Sequence, residues 1–379
     1  MPGALDHLLV LDLTSHLSGP YCAMMLADHG ADVIKIEPPH GDSARAMPPF
    51  VNGESAPFMT WNRNKRSAAL DLKTPADKDA LLALVDRADV LIENYRPGVL
   101  DRLGLGWEVL HRRNRRLILA SISGFGQTGP YSARGGFDLI TQAMSGLMST
   151  NGPADGPPHR LPIAISDVTA GMFLAFGVLA AVEARHRTGE GQRVETSLLE
   201  AATSLAVYES AHYFATGTRP ERIGQAHRGS APYQCFQTTD GYITVGASQQ
   251  RFFVQLCDLL GVPELADDPR FASNADRVRH NDALVAQLAE RFRTRGSAHW
   301  LGALEALGIP AGPVLHYDQV FTDPQILARE MVMETRHPVT GPFRTLGVPV
   351  KLSATPGSVR DPAPRLGEHT EAVRREQGV

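Results

Sequence analysis

The feature that most constrains this chain is an alternation. Between residues 8 and 123, short runs rich in Val, Ile and Leu take turns with helical stretches. Residues 8–14 read as a buried strand, 15–19 as a turn, and Pro20 suits a first helical position. That helix runs to about His29, where Gly30 stops it, and 31–37 form the next strand, closed by Pro38-Pro39. A strand–helix–strand unit of this length gives a parallel pair joined by a crossover. Residues 67–72, 89–95 and 117–123 read as three further strands, with helices from Thr74 to about Arg87 and after Pro97-Gly98. The pattern predicts an α/β fold with an open parallel sheet covered on both faces. Ligands in such sheets sit beyond the carboxyl ends of the strands. Here those ends are 14–19, 37–45, 71–73, 94–96 and 124–130, all rich in Gly, Pro and polar residues. The first turn carries no GxGxxG, so the dinucleotide fingerprint is absent and a nicotinamide dehydrogenase is a poor reading.

A second feature stands past the middle of the chain. Leu161-Pro162-Ile163-Ala164-Ile165-Ser166 leads to Asp167, and an apolar stretch follows from Met172 to Val182. The expectation is a strand or extended lead-in, then Asp167 at a helix N-terminus, then a helix apolar on all sides and therefore buried. The apolar run is short and glycine-interrupted, against the ~20 residues a bilayer span needs. Asp is a favoured N-cap residue, and capping alone would account for it. The chemical alternative is an ionised nucleophile steadied by free backbone N–H groups and the helix dipole.

The remainder organises as a smaller domain and a tail. Residues 193–197 read as a short strand, and Leu198 to about Thr216 as helix. Residues 232–322 contain a hairpin turning at Thr239-Asp240-Gly241 and helices near 251–260, 274–293 and 297–307. The expected division is a large domain over 1–216, a linker loop over 217–231, a small domain over 232–322 and a tail over 323–379. The tail carries a strand pair near 331–336 and 347–352 and ends in a charged helix. With 379 residues, 43% of them hydrophobic, two cores are affordable. A net charge of −4 argues against nucleic acid. The N-terminal stretch lacks the basic start and cleavage site of a secretory signal, and Cys22, Cys235 and Cys257 form no ligand spacing. The expectation is a cytoplasmic protein without membrane attachment, metal or tightly bound cofactor.

Several blocks, in order, resemble the class III CoA-transferase family, which includes formyl-CoA transferase and the acyl-CoA racemases. Among them are 26–37, Gly41-Asp42, Asn64-Lys65-Arg66-Ser67, Leu70-Asp71-Leu72-Lys73 and Glu93-Asn94-Tyr95-Arg96-Pro97-Gly98. Further along stand 123–130, Asp167, Gly189-Glu190-Gly191-Gln192, Gly312-Pro313 and Leu366-Gly367-Glu368-His369-Thr370. The resemblance implies a Rossmann-like large domain with a smaller α+β domain inserted, the tail returning to the large domain, and an interlocked homodimer. It implies that Asp167 attacks an acyl-CoA thioester, giving a mixed anhydride and CoA thiolate. The thiolate then takes the aspartyl carbonyl, and the aspartyl-CoA passes its thioester to an acceptor acid. Coenzyme A and its acyl thioester are thus substrates.

By position, the resemblance places CoA against Leu17, Ser18, Leu70, Lys73, Asn94, Tyr95, Arg96, Arg102, Gly135 and Phe137. Formyl-CoA transferase has His and Gln where this chain has Ser15 and Leu17, and Arg where it has Pro38, so the adenine and phosphate contacts differ. The family's glycine-rich loop would correspond to 227–230. The racemase branch needs a His in a Gly-His-Asp triplet; here the triplet is Gly136-Phe137-Asp138, and Phe moves no proton. The reading is a CoA transferase acting on a small carboxylic acid, a dicarboxylate being expected from polar, Arg-bearing loops. His16, Arg45 and Arg228 are the candidates for its distal carboxylate. A racemase and an idle CoA-binding protein are the alternatives.

Overall fold

The computed structural model describes residues 3–376; the outermost residues of the first and last predicted segments lie outside them. Six parallel strands make the main sheet: β1 (Leu9–Asp12), β2 (Asp32–Glu37), β3 (Lys65–Ala69), β4 (Val90–Glu93), β5 (Ile118–Ser123) and β6 (Arg193–Ser197). Their spatial order is β3-β2-β1-β4-β5-β6, so the winding reverses between β1 and β4. That reversal opens a crevice at the carboxyl ends of the strands, where ligands of such sheets bind.

Each strand feeds both faces because successive side chains point opposite ways. Val10 and Ile92 join a core with α1 (Ser18–Asp28), while Leu11 and Leu91 join a second core with α2 (Pro75–Val85) and α3 (Trp107–Arg113). Thr74 caps α2, its hydroxyl accepting from Asp77 N–H, and Pro75 takes the first position, where its missing N–H costs nothing. The carboxyl-terminal helix adds Val373 to the second core.

Next come α4 (Asp138–Met144) and α5 (Ile165–Thr188). Helix α5 packs on α1, β5 and β6 through Thr169, Ala170, Leu174, Ala175, Val178 and Ala181. Its other side is open in the single chain: Met172, Phe173 and Leu179 are over 40% exposed and Phe176 is 71% exposed. The expectation of burial on all sides is therefore corrected, because the sheet, α1, α4 and the helix Leu198–Ser204 leave one side of it uncovered. Its 24 residues also exceed the predicted run and are, by length and composition only, long and apolar enough to cross a membrane. Within this unit ten of them are instead buried against neighbouring elements.

The predicted helix beyond Leu198 breaks at Leu205-Ala206 into α6 (Leu198–Ser204) and α7 (Val207–Thr216). The chain divides into two compact units: one runs to Met148, over Arg160–Gly217 and from Asp323 on; the other comprises Ser149–His159 and Thr218–Thr322. Two points differ from the sequence expectation. Ser149–His159 goes with the smaller unit, since Arg222 donates to the carbonyls of Ser149 and Gly156. Residues 218–231 are part of that unit rather than a separate linker. Arg277, fully buried, donates to the Ala231 carbonyl at 2.9 Å, and Asn274 to that of Gly229 at 2.8 Å.

The smaller unit holds three antiparallel strands, β7 (Tyr233–Gln237), β8 (Tyr242–Gly246) and β9 (Ala311–Pro313), over a core of Phe253, Leu256, Phe292 and Trp300. In place of one helix over 274–293 it has two, parted at His280. The tail strand pair is β10 (Val332–His337) and β11 (Gly341–Leu346), the second lying earlier than expected. His337 Nδ1 accepts from Val339 and Thr340 N–H, and Gly341 takes φ 74°, which closes the turn early.

Candidate active site

The loops leaving β1, β4 and β5 enclose a cavity of about 380 Å³. Its lining includes His16, Leu17, Ser18, Asn94, Tyr95, Arg96, Gly135, Phe137 and Asp167. Ser15 and Tyr95 also line a neighbouring cavity of about 400 Å³ over β2 and β3, where Leu70 and Lys73 lie with Glu37 and Asp42. Nine of the ten residues expected at CoA thus fall along one double cavity at the carboxyl edge of the sheet. Arg102 lines neither; it lies in the short helix Val99–Arg102, exposed, beside Gly98. Phe137 is 71% exposed at the cavity wall and is not a core aromatic.

Asp167 is the third residue of α5, not its cap, because the helix opens at Ile165. Residues 161–164 are irregular rather than a strand. The helix start is held from α4 instead. Asp138 Oδ1 accepts from Ser166 N–H at 2.9 Å and Asp138 Oδ2 from Gln142 Nε2 at 2.8 Å. Gln142 also accepts from Leu161 N–H at 2.9 Å. Asp138 therefore does the capping, from 28 residues upstream of Ser166. Since it takes the Ser166 N–H, that donor is not free to stabilise an oxyanion. Helix α1, by contrast, follows Leu17 with no side-chain cap, and Ser18 at its start lines the cavity.

Burial pushes the Asp167 carboxyl up to about 7; the Asp138 charge adds to this, and a hydrogen bond from the Ser18 side chain opposes it. A carboxylate of that basicity is a better nucleophile than an ordinary one and still ionises near neutrality. Two close backbone approaches make the arrangement possible. A Cβ on Gly171 would lie 2.6 Å from the Ser18 carbonyl oxygen, so only glycine lets α5 bring Asp167 against the start of α1. Gly124 and Gly136 touch in the same way, a Cβ on Gly124 falling 2.6 Å from the Gly136 Cα, which lays the 134–137 loop on the end of β5.

A charge network supports the 15–18 loop from below. Lys35 Nζ donates to the Thr14 carbonyl at 2.8 Å and pairs with Asp42 at 2.9 Å. Asp42 Oδ1 in turn accepts from His16 N–H at 3.2 Å. His16 is held at φ 62°, a left-handed conformation, and its Nε2 meets Ser43 Oγ at 3.0 Å. Such strain persists only where neighbours enforce it. Beside this pair, Lys65 contacts Asp12 at 2.8 Å, both fully buried. Burial works against the Asp12 charge, but Lys65 and Lys35 outweigh it and hold the carboxyl at about 2. Asn94 completes the clamp, accepting from Ser15 N–H and donating to the Ser15 carbonyl.

The three candidates for a distal carboxylate separate. His16 lines the cavity. Arg45 does not: its guanidinium is committed to Glu37 through two hydrogen bonds of 2.7 Å, and it lies over the Phe58 ring. Arg228 belongs to the smaller unit, where it donates to the Glu221 carbonyl. Asp138, Gln142, Gly171 and Arg134 escaped the sequence reading; the acidic member of the Gly136-Phe137-Asp138 triplet was the one available signal. Among the described residues no group of three His, Cys, Asp or Glu side chains could hold a metal ion.

A family model described as CoA-transferase family III matches residues 5–370. An acetyl-CoA:oxalate CoA-transferase of Acetobacter aceti is 42% identical over 377 residues, 99% of this chain and 96% of that protein. A succinyl-CoA:glutarate CoA-transferase of Mus musculus is 40% identical over 374 residues, 98% of this chain and 86% of that protein. The crystal structure of a CAIB/BAIF family protein from Brucella suis aligns with a TM-score of 0.90 at 37% identity, covering 100% of both chains.

Proposed function

The chain belongs to CoA-transferase family III, and from that premise we propose that it moves coenzyme A from an acyl-CoA donor to a small dicarboxylic acid through Asp167. The observation that carries this reading is the Asp167 carboxyl, half-buried at the start of α5 and open to the 380 Å³ cavity. Attack of its oxygen on the thioester carbon forms the acyl–aspartyl anhydride and breaks the C–S bond, releasing CoA thiolate. The thiolate attacks the aspartyl carbonyl and expels the first acid as its carboxylate. The acceptor carboxylate then attacks the aspartyl thioester and expels the thiolate again. Thiolate finally attacks the acceptor-derived carbonyl of the new anhydride, which forms the product thioester and frees Asp167. Each step exchanges bonds of similar energy, which is why a carboxylate suffices as nucleophile. The uncapped start of α1 supplies N–H groups for the oxyanions.

Dicarboxylate acceptors are supported by two relatives whose names specify oxalate and glutarate. Phe137 in place of a second proton-transfer group speaks against epimerisation. A homodimer fits the apolar faces left open on α5 and α7, where Tyr208 and Phe214 are 71% and 82% exposed. Patches of that kind mark association surfaces. The test is a mass-spectrometric screen of acyl-CoA donors against mixed acids, with hydroxylamine trapping. The expected result is CoA exchange and a trapped aspartyl species at residue 167, both lost in Asp167→Ala. A fully active Ala variant would refute the assignment, and CoA binding without exchange for any acid pair would favour an idle binding protein.

A further inference from the structure

We propose that Arg134 is the specificity-determining residue of this site, receiving the carboxylate of the dicarboxylic acid that does not react. The inference rests on the transferase reading above and replaces the role expected of Arg45. Arg134 lines the same cavity as Asp167. It forms no ion pair with any carboxylate among the described residues. Its guanidinium instead lies 4.7 Å from the ring centre of Tyr131 and 5.8 Å from that of Phe125. Those two rings are themselves packed edge to face. An aromatic ledge of this kind orients a guanidinium and leaves its N–H fork open to a bidentate anion. The backbone is fixed as well, Arg134 N–H donating to the Tyr131 carbonyl at 2.9 Å.

Of the other cations near the crevice, Lys73 lines the neighbouring cavity rather than the one that holds Asp167. Arg45 is held by Glu37, Lys35 by Asp42 and Lys65 by Asp12. Arg96 packs its Nη2 against Gly135 and lines, besides the Asp167 cavity, a small third cavity shared with Glu93 and Asp101. Pantetheine brings no charge to the reacting end of the cavity, so a free guanidinium there matches the one charged group that a diacid adds. A monocarboxylate leaves it without a partner.

The experiment compares succinate and butyrate, which differ in one terminal carboxylate, as acceptors from acetyl-CoA, a donor without a second charge. Arg134→Gln is expected to lower the succinate-to-butyrate ratio of kcat/KM by about 10- to 100-fold, the range for loss of a charged hydrogen-bond partner. The loss is expected mainly in the succinate KM, with Arg134→Lys recovering part of it. If the wild type does not turn over butyrate, the rise in succinate KM at near-constant kcat carries the same expectation. Equal loss for both acids, no loss for either, or a selectivity change found in Arg96→Gln instead would overturn the proposal. A wild type that prefers monocarboxylates would overturn it too. Absence of CoA transfer to every acid would instead sink the transferase reading itself, so the two failures are distinguishable.

Discussion

Replacing Asp167 with Asn should abolish turnover and yet stabilise the fold, by an amount that grows with pH. The folded-state carboxyl lies near 7, against 3.8 for an unperturbed Asp, because burial and Asp138 both disfavour its charge. The sign follows from linkage. Below about pH 4 the group is protonated in folded and unfolded chains alike and contributes nothing to the pH dependence. Between about 4 and 7 only the unfolded chain ionises, so stability falls as pH rises, and above about 7 the loss is complete. At about 1.4 kcal/mol per pH unit the ceiling is about 4 kcal/mol. Partial solvent contact lowers that, and about 2 kcal/mol is the working expectation. Asn keeps the shape and cannot ionise. Urea denaturation of both proteins from pH 4.5 to 8.5 should show their stabilities diverging towards high pH, with Asp167→Asn the more stable. Parallel curves, or an Asn variant that loses stability at high pH, would refute the burial argument. Retained turnover would refute the nucleophile.

Three further perturbations probe the surroundings of that carboxyl. Asp138→Asn removes a charge that raises the Asp167 pKa, so the midpoint of the pH–kcat/KM profile for the donor should move down from about 7. The weakened cap on Ser166 N–H should cost about 1 kcal/mol in denaturant melts. Gly171→Ala drives a methyl to 2.6 Å from the Ser18 carbonyl; about 1–3 kcal/mol of stability should go, and activity should fall further than stability explains as Ser18 parts from Asp167. Lys35→Met leaves Asp42 buried and unpaired, and about 3–5 kcal/mol should be lost, while the double variant Lys35→Met with Asp42→Asn recovers part of it. Additive losses in that double variant would show that the two side chains do not act as a pair.

The alternation of strands and helices was legible because it is local. Val10-Leu11 and Leu91-Ile92 send neighbours to opposite faces whatever the rest of the chain does, and Gly30 ends α1 by its own backbone freedom, at φ 110°. Asp167 stood out for a similar reason, as the one carboxylate between a short apolar segment and a long apolar helix. Charge partnerships were not legible. Arg45 and Arg134 look alike in sequence, yet Glu37 holds the first, while the second rests on Tyr131 and Phe125.

The same limit hid Asp138 as the cap of α5 and mistook α5 for a fully enclosed helix. Whether an apolar face is covered depends on which elements of the fold reach it, and here α1, α4, α6, β5 and β6 together leave Met172, Phe173, Phe176 and Leu179 open. Sequence by itself determined the parallel sheet, its binding edge and the acid at the start of the apolar helix, since short-range periodicity and backbone geometry decide these. Only the tertiary structure decided which cation is free, which side chain caps the reactive helix and how basic its carboxyl becomes. Those properties are set by desolvation and by pairing between residues far apart in the chain.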